Sequence, residues 1–288
     1  MRVTYGEVLL DEVREQMELA VGGAPSAPLK DVMRVTSGYN PQTTQDLEVD
    51  AHLAQRLGFV FPDMPILSEE NVGAHAATKS AKQGGELAVA ERRLVVDPVD
   101  GSANPWAGHL LYAISAALQR QGRSEVAAVA VRYLGKGDSE LQDVYSAVRG
   151  MGAYKNGMPF RNSLRVPEDH PAYKITAFGI PGRHAADRMY VAFKNLYRSG
   201  WHTRQSGSAC VDICNVATGV WSAFFEYGLK LWDIAGSILI AQEAGCVERV
   251  IPTREPYTYD VIVARNQEVL DQIAAMTGIG APTAEQTA

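Results

Sequence analysis

The chain has 288 residues, 46% of them hydrophobic and 21% charged, a composition that excludes a disordered or fibrous protein. A chain this long can bury roughly three quarters of its unfolded surface, enough for one large core or two modest ones. Acidic residues outnumber basic ones, 33 to 27, for a formal charge of −6. That balance argues against a nucleic-acid-binding surface. It does not argue against an anionic substrate, because a bound cation can reverse the sign of a pocket.

The opening stretch, MRVTYGEVLLDEVREQ, has no apolar h-region, and no run approaches the ~18 residues of a membrane span. The expectation is a cytoplasmic protein with no membrane partner. Cys210, Cys214 and Cys246 form an odd, sparse set and read as reduced core thiols. A first helix is expected over about Gly6 to Ala20, ended by Gly22, Gly23, Pro25 and Pro28. A second follows Thr43 and Thr44, with Leu47, Leu53, Ala54 and Leu57 on one face.

A β pattern begins near Arg93, where Leu94, Val95 and Val96 form a run that stops at Asp97-Pro98. Tyr112, Ile114, Ala116 and Leu118 alternate with smaller residues, Gly122 breaks the chain, and Val126–Tyr133 and Val144–Val148 give further runs. The glycine-rich stretch Gly150–Gly157 closes this part, which reads as an antiparallel meander. Ile175–Phe178 is then a strand and Ala185–Arg198 a helix. Cys210, Ile213, Cys214 and Ala217 recur at helical spacing before Gly219, and Ile234–Ala244 is a helix with Asp233 at its start and Gly245 past its end. Such mixing points to a layered α+β architecture.

The chemistry concentrates in three acidic segments. In Val95–Asn104 an apolar strand delivers Asp97, Pro98 forces the chain out of the sheet, and Asp100 follows three residues later. Two carboxylates with the Val99 carbonyl between them suit hard, oxygen-seeking cations, and Gly101 allows a turn whose amides can face a phosphate. The same residues also suit a surface turn. The adjacent glutamates of Ser68-Glu69-Glu70-Asn71 suit a solvated face, and Asp233 in Leu231-Trp232-Asp233 suits a helix cap. A metal needs carboxylates from distant segments, and these three supply them.

Read together, SEEN, DPVDGSAN and WDIAGSILIAQEAGC resemble the signatures of the inositol monophosphatase family of Mg²⁺-dependent phosphatases, in order and in spacing. Gly207-Ser208-Ala209-Cys210 resembles that family's GSAA helix, and Gly150–Gly157 its GxGAxxNG hairpin, so the likeness runs from about Asp46 to Ala275. The resemblance implies a layered αβαβα sandwich shared with fructose bisphosphatases, divided into residues 1–165 and 166–288, and a lithium-sensitive homodimer. It implies two or three Mg²⁺ ions held by Glu69, Asp97, the Val99 carbonyl, Asp100 and Asp233, with Asp46 beside a weaker site. Glu69 and Ser102 would orient the attacking water, and the amides of Gly101 and Ser102 would hold the phosphate. Glu226 would contact substrate hydroxyls, with Gly207, Ser208 and Ala209 lining the same pocket.

Departures fall at Asn104-Pro105-Trp106, at Ala107-Gly108-His109, at an absent lysine near Arg34, and at Cys246 in place of a glycine. The expected activity is hydrolysis of a small inositol, polyol or sugar monophosphate. Within the family the alternatives are a nucleotide 3′-phosphatase and phosphatases for histidinol phosphate or fructose bisphosphate. A different class is a member without turnover that serves as a metal-binding regulator or scaffold. Its mark would be a missing principal ligand, and none is missing. Histidine is not needed for this chemistry, and His109 is the one near the acidic loop.

Overall fold

The computed structural model describes residues 5–24, 32–37, 40–62, 64–71, 91–134, 140–163, 174–179 and 185–280. Its helices are α1 (Tyr5–Gly22), α2 (Thr44–Val60), α3 (Ala103–Trp106), α4 (Ala186–Arg198), α5 (Ala209–Ala217), α6 (Leu231–Ala244) and α7 (Gln267–Thr277). A short hairpin pairs β1 (Val32–Ser37) with β2 (Asn40–Thr43). A seven-stranded sheet runs in chain order through β3 (Ile66–Ser68), β4 (Arg92–Asp100), β5 (Leu111–Arg120), β6 (Arg123–Leu134), β7 (Glu140–Val148), β8 (Gly152–Lys155) and β9 (Met158–Phe160). Every neighbouring pair from β4 onward is antiparallel, so the expected meander is present. The second sheet has five strands: β10 (Ile175–Phe178), β11 (His202–Arg204), β12 (Ala223–Lys230), β13 (Val247–Pro252) and β14 (Thr258–Ala264), in the order β11-β10-β12-β14-β13.

Three apolar clusters stack these elements into layers. One joins α1 and α2 to one face of the seven-stranded sheet, through Met17, Val49, Leu53, Leu57, Leu94 and Ile114. A second fills the space between the two sheets, where α5 and α6 are buried nearly all round. A third seats α4 and α7 on the outer face of the five-stranded sheet. The result is the αβαβα sandwich. Cys210, Cys214 and Cys246 are all buried and unbridged. Among the described residues, no helix is long and apolar enough to cross a membrane.

Two local expectations are corrected. On α2 the buried stripe is Asp46, Val49, Leu53 and Leu57, while Leu47 and Ala54 face outward. Steps of three, four and four residues keep that stripe on one side of a 3.6-residue helix, and 47 and 54 lie about a quarter turn away. The strand that carries Asp97 continues through Pro98 to Asp100, with a register shift against β5 between Asp97 and Asp100. The irregularity absorbs the missing proline amide and both aspartates stay on the sheet. Helix α1 extends to Gly22, Gly23 donates its N–H to the Leu19 carbonyl, and Pro25 and Pro28 lie outside the described residues.

Helix α6, which presents Asp233, sits close to the meander. A β-carbon on Gly236 would lie 2.6 Å from Ser115 Oγ and 3.3 Å from Val129 Cγ2. Gly236→Val should therefore overpack this contact and lower stability by about 1–3 kcal/mol. Thermal unfolding checks it, at roughly 2–4 °C per kcal/mol for a chain of this size. An unchanged midpoint would mean that the helix and sheet are not in this contact.

Candidate active site

The DPVDG segment is held in place by the segment that precedes α5. Asn104 donates through Nδ2 to the carbonyls of Leu111 and Ser206, each at 2.7 Å. Gly101 and Gly207 have φ near +90° and +83° and face each other across this contact. A β-carbon on Gly101 would lie 2.8 Å from the Gly207 carbonyl oxygen, and one on Gly207 would lie 2.9 Å from the Asn104 amide. Both positions demand glycine for conformation and for space.

Asp100 then meets the start of α5. Ser208 donates its hydroxyl to Asp100 Oδ2 at 2.5 Å, and the amides of Cys210 and Ala209 donate at 2.6 and 3.3 Å. Ser208 also caps the helix by accepting from the Val211 N–H. A carboxylate at a helix N-terminus satisfies free amides and is favoured by the helix dipole. Burial pushes the Asp100 carboxyl up from its ordinary range, and these hydrogen bonds oppose the rise.

Asp233 is the third residue of α6, not the cap. Its Oδ2 accepts from the N–H of Lys230 at 2.8 Å, the reciprocal half of a capping box. Cys210 Sγ donates to the Asp233 carbonyl, which ties α5 to α6. Gly245 ends α6 in the left-handed conformation, as expected. Burial first, and then the charge of Asp100, push Asp233 up to about 7.

Asp97 lacks such compensation. Its Oδ1 accepts from the Val99 N–H at 3.1 Å, while its buried Oδ2 has no hydrogen-bond partner. Burial, followed by the charges of Glu69, Asp100, Asp233 and Asp46, drives its carboxyl well above the usual range. Glu69 opens a 3₁₀ turn after β3, behind Ser68, whose hydroxyl donates to Asp50 at 2.5 Å.

These groups share one cleft of about 1070 Å³. Its wall includes six acidic side chains (Glu69, Asp97, Asp100, Asp212, Glu226 and Asp233) and one basic one, Lys230. Val99, Gly101, Ser102, Gly207, Ser208 and Ala209 line it too. Asp46 is buried in the first turn of α2 and is not a wall residue, though its charge reaches Asp97. His109 is exposed and lies off the wall. Glu226, half-buried on β12, packs its carboxylate directly against the Gly179 backbone, where a side chain would collide with it. Burial and the charges of Asp233, Asp100 and Asp212 raise its carboxyl as well.

Such a wall suits cations. An orphaned buried carboxylate oxygen among like charges is the donor chemistry that Mg²⁺ takes. Among the described residues, no three His, Cys, Asp or Glu side chains are drawn together tightly enough to enclose an ion. Asp100 and Asp233 are held instead by backbone amides and, for Asp100, by the Ser208 hydroxyl. This leaves the Asp233 oxygen a further lone pair, and Asp100 Oδ1, bonded only by the longer Ala209 contact, as the more available oxygens.

The family model for the inositol monophosphatase family matches residues 2–277. The chain belongs to the inositol monophosphatase family. It is 35% identical over 222 residues to the putative Nus factor SuhB of Neisseria meningitidis serogroup A, covering 77% of this chain and 78% of that one. It is 31% identical over 243 residues to the inositol-1-monophosphatase of Mycobacterium bovis, covering 83% and 79%. The crystal structure of the extragenic suppressor protein suhB of Bartonella henselae shares the fold, with a TM-score of 0.70 at 22% identity over 92% of this chain and 98% of that one. The chain is accordingly a phosphatase, a phosphoric monoester hydrolase, of a family that generally uses Mg²⁺.

Several wall residues carry no motif signal. Asp212 and Lys230 reach the cleft only because α5 and the end of β12 converge there. The Asp212 Oδ1 is buried without a partner, and burial raises its carboxyl. Asp97→Asn removes one charge from this crowded set. In chelator it should raise the unfolding midpoint by the equivalent of about 1 kcal/mol or more, because an uncompensated buried charge is costly. It should also abolish the upward shift expected of wild type on adding Mg²⁺. Scanning calorimetry of both proteins, with chelator and with Mg²⁺, tests this, and a lower midpoint for Asp97→Asn in chelator would contradict it.

Proposed function

We propose that the protein hydrolyses the phosphate monoester of a small polyol or sugar with Mg²⁺ as cofactor. The observation that carries this reading is a cleft wall with, among the described residues, six acids and one base, and a buried Asp97 oxygen left unbonded. A phosphate dianion cannot enter such a wall unless cations neutralise it. Glu69, Asp97, the Val99 carbonyl, Asp100 and Asp233 would hold two ions, with Asp46 beside a third, weaker position. The bound ions would supply charge neutralisation, a lowered pKa for water, and stabilisation of the departing alkoxide.

The chain's own groups do the rest by position. The amides of Gly101 and Ser102 hold the phosphate, and the Ser102 hydroxyl and Glu69 orient the attacking water. Ser208 and the α5 amides fix Asp100 and oppose the rise that burial imposes on its carboxyl. Glu226 accepts hydrogen bonds from hydroxyls of the alcohol, with its carboxylate lying against the Gly179 backbone, where only a glycine leaves it room. We place the boundary between two subdomains near residue 165, so that Glu226 and Asp233 complete a site begun by the first. A bisphosphate substrate is disfavoured because Lys230, the one basic wall residue among those described, already donates to Thr258 at 2.7 Å and pairs with Glu255.

Phosphate release from inositol and sugar monophosphates should require Mg²⁺ and stop in chelator. Glu226→Gln should lower kcat/KM for the preferred polyol substrate by roughly 10- to 100-fold, since a charged acceptor contributes ~1.5–3 kcal/mol. A simple aryl phosphate, without neighbouring hydroxyls, should hardly change. Equal losses on both substrates would assign Glu226 to the metals or the fold, and Mg²⁺-independent release would overturn the reading.

A further inference from the structure

Helix α4 turns apolar side chains toward the cleft as well as toward the outer core. Ala192 and Leu196 are buried in the outer core with Phe225, Ile262 and Leu270, and one such stripe suffices to seat a surface helix. A second stripe exists. Ala186, Met189, Tyr190 and Phe193 recur at i, i+3, i+4 and i+7, and all four line the active-site cleft. Tyr190 is 72% exposed, while Met189 and Phe193 are half-buried, packed on one side against the outer core and facing the cleft on the other. Phe193 meets Phe178 edge to face, with centroids 4.7 Å apart. Phe178 is the residue before Gly179, against which Glu226 rests. The apolar stripe is thus continuous with the position assigned to the substrate's hydroxyls.

The chemistry of this stripe is unlike that of the acidic end. It carries no charge, so a second phosphate or a carboxylate would find no partner on it, and its one polar atom is the Tyr190 hydroxyl. The cleft, at about 1070 Å³, is at the upper end for ligand pockets, and a bare polyol phosphate would leave this wall wet. Met and aromatic side chains together suit a flat, uncharged ring.

We infer that Met189, Tyr190, Phe193 and Phe178 form a subsite for an uncharged ring-bearing substituent on the alcohol of the substrate. This rests on the phosphatase reading above and narrows it. The preferred phosphomonoester carries hydroxyls for Glu226 and, beyond them, an aryl or comparable flat group laid on α4.

The test uses a matched pair, glycerol 1-phosphate and its 3-O-phenyl ether, which share the phosphate and the neighbouring hydroxyl. The kcat/KM of each is measured in Mg²⁺, and the binding of each by calorimetry. Wild type should favour the phenyl ether by about 10-fold or more. Tyr190→Ala, which removes an exposed ring and asks nothing of the core, should bring the ratio to within about threefold. Met189→Ala should do the same, and Met189→Leu, which restores apolar bulk, should recover it. Equal treatment of the pair by wild type, or an unchanged ratio in both alanine variants, overturns the subsite. An unchanged ratio with an altered sedimentation coefficient in Tyr190→Ala would give this face to a second copy of the chain, and so also overturns it. Failure of the underlying reading looks different. A folded wild type that turns over neither compound yet binds the phenyl ether more tightly is not a phosphatase for them but keeps the subsite, whereas equal binding ends it.

Discussion

Charge crowding in the cleft is the constraint on which the rest of the molecule depends. Among the described residues, six carboxyl groups face one lysine around a space that must admit a phosphate. Two like unit charges 4 Å apart repel by about 4 kcal/mol at an effective dielectric of 20, so the metal-free wall excludes its own substrate. Divalent cations, as proposed for this cleft, would resolve both conflicts, between the carboxylates and between carboxylates and phosphate. The raised carboxyl of Asp97, set by burial and four acidic neighbours, is the local sign of that unmet need.

The fold manages this crowding by sorting the carboxylates. Asp100 is tied to the first amides of α5 and Asp233 to the amide that precedes α6, so backbone donors hold two of the acids in place without a cation. Asp97 is left with one unbonded oxygen, at the point where the strand passes Pro98 with a shifted register. If these carboxylates hold cations as proposed, such pre-positioning would lower the cost of organising the site when an ion arrives. The Gly101–Gly207 contact and the two hydrogen bonds from Asn104 join the DPVDG turn to the segment that leads into α5. Tight α6 packing at Gly236 carries the rigidity of the sheets to Asp233.

Much of this was legible in the residues. Alternation through Tyr112–Leu118 and Val126–Tyr133 named the meander, and Gly245 marked the end of α6, because these patterns depend on neighbours in sequence. The acidic segments stood out because their spacing serves one chemistry, and the fold brings Glu69, Asp97, Asp100, Glu226 and Asp233 to one wall. What the residues hid depends on distant partners. Leu47 and Ala54 look like core and face solvent, since the sheet beneath α2 decides which stripe is covered. Pro98 looks like a strand end and is not, because β5 accommodates the irregularity. Lys230 and Asp212 carry no motif and enter the site only through the meeting of α5 with β12. The second stripe of α4 is visible as a spacing, but only the cleft gives it a use.

The central claim is that this cleft binds phosphate only through cations that its carboxylates hold. The most direct measurement is the binding of inorganic phosphate to the wild-type protein by titration calorimetry, once in chelator and once in Mg²⁺. The account predicts no detectable binding in chelator and clear binding in Mg²⁺, with the Mg²⁺ response lost in Asp97→Asn. Equal phosphate affinity with and without Mg²⁺ would contradict it.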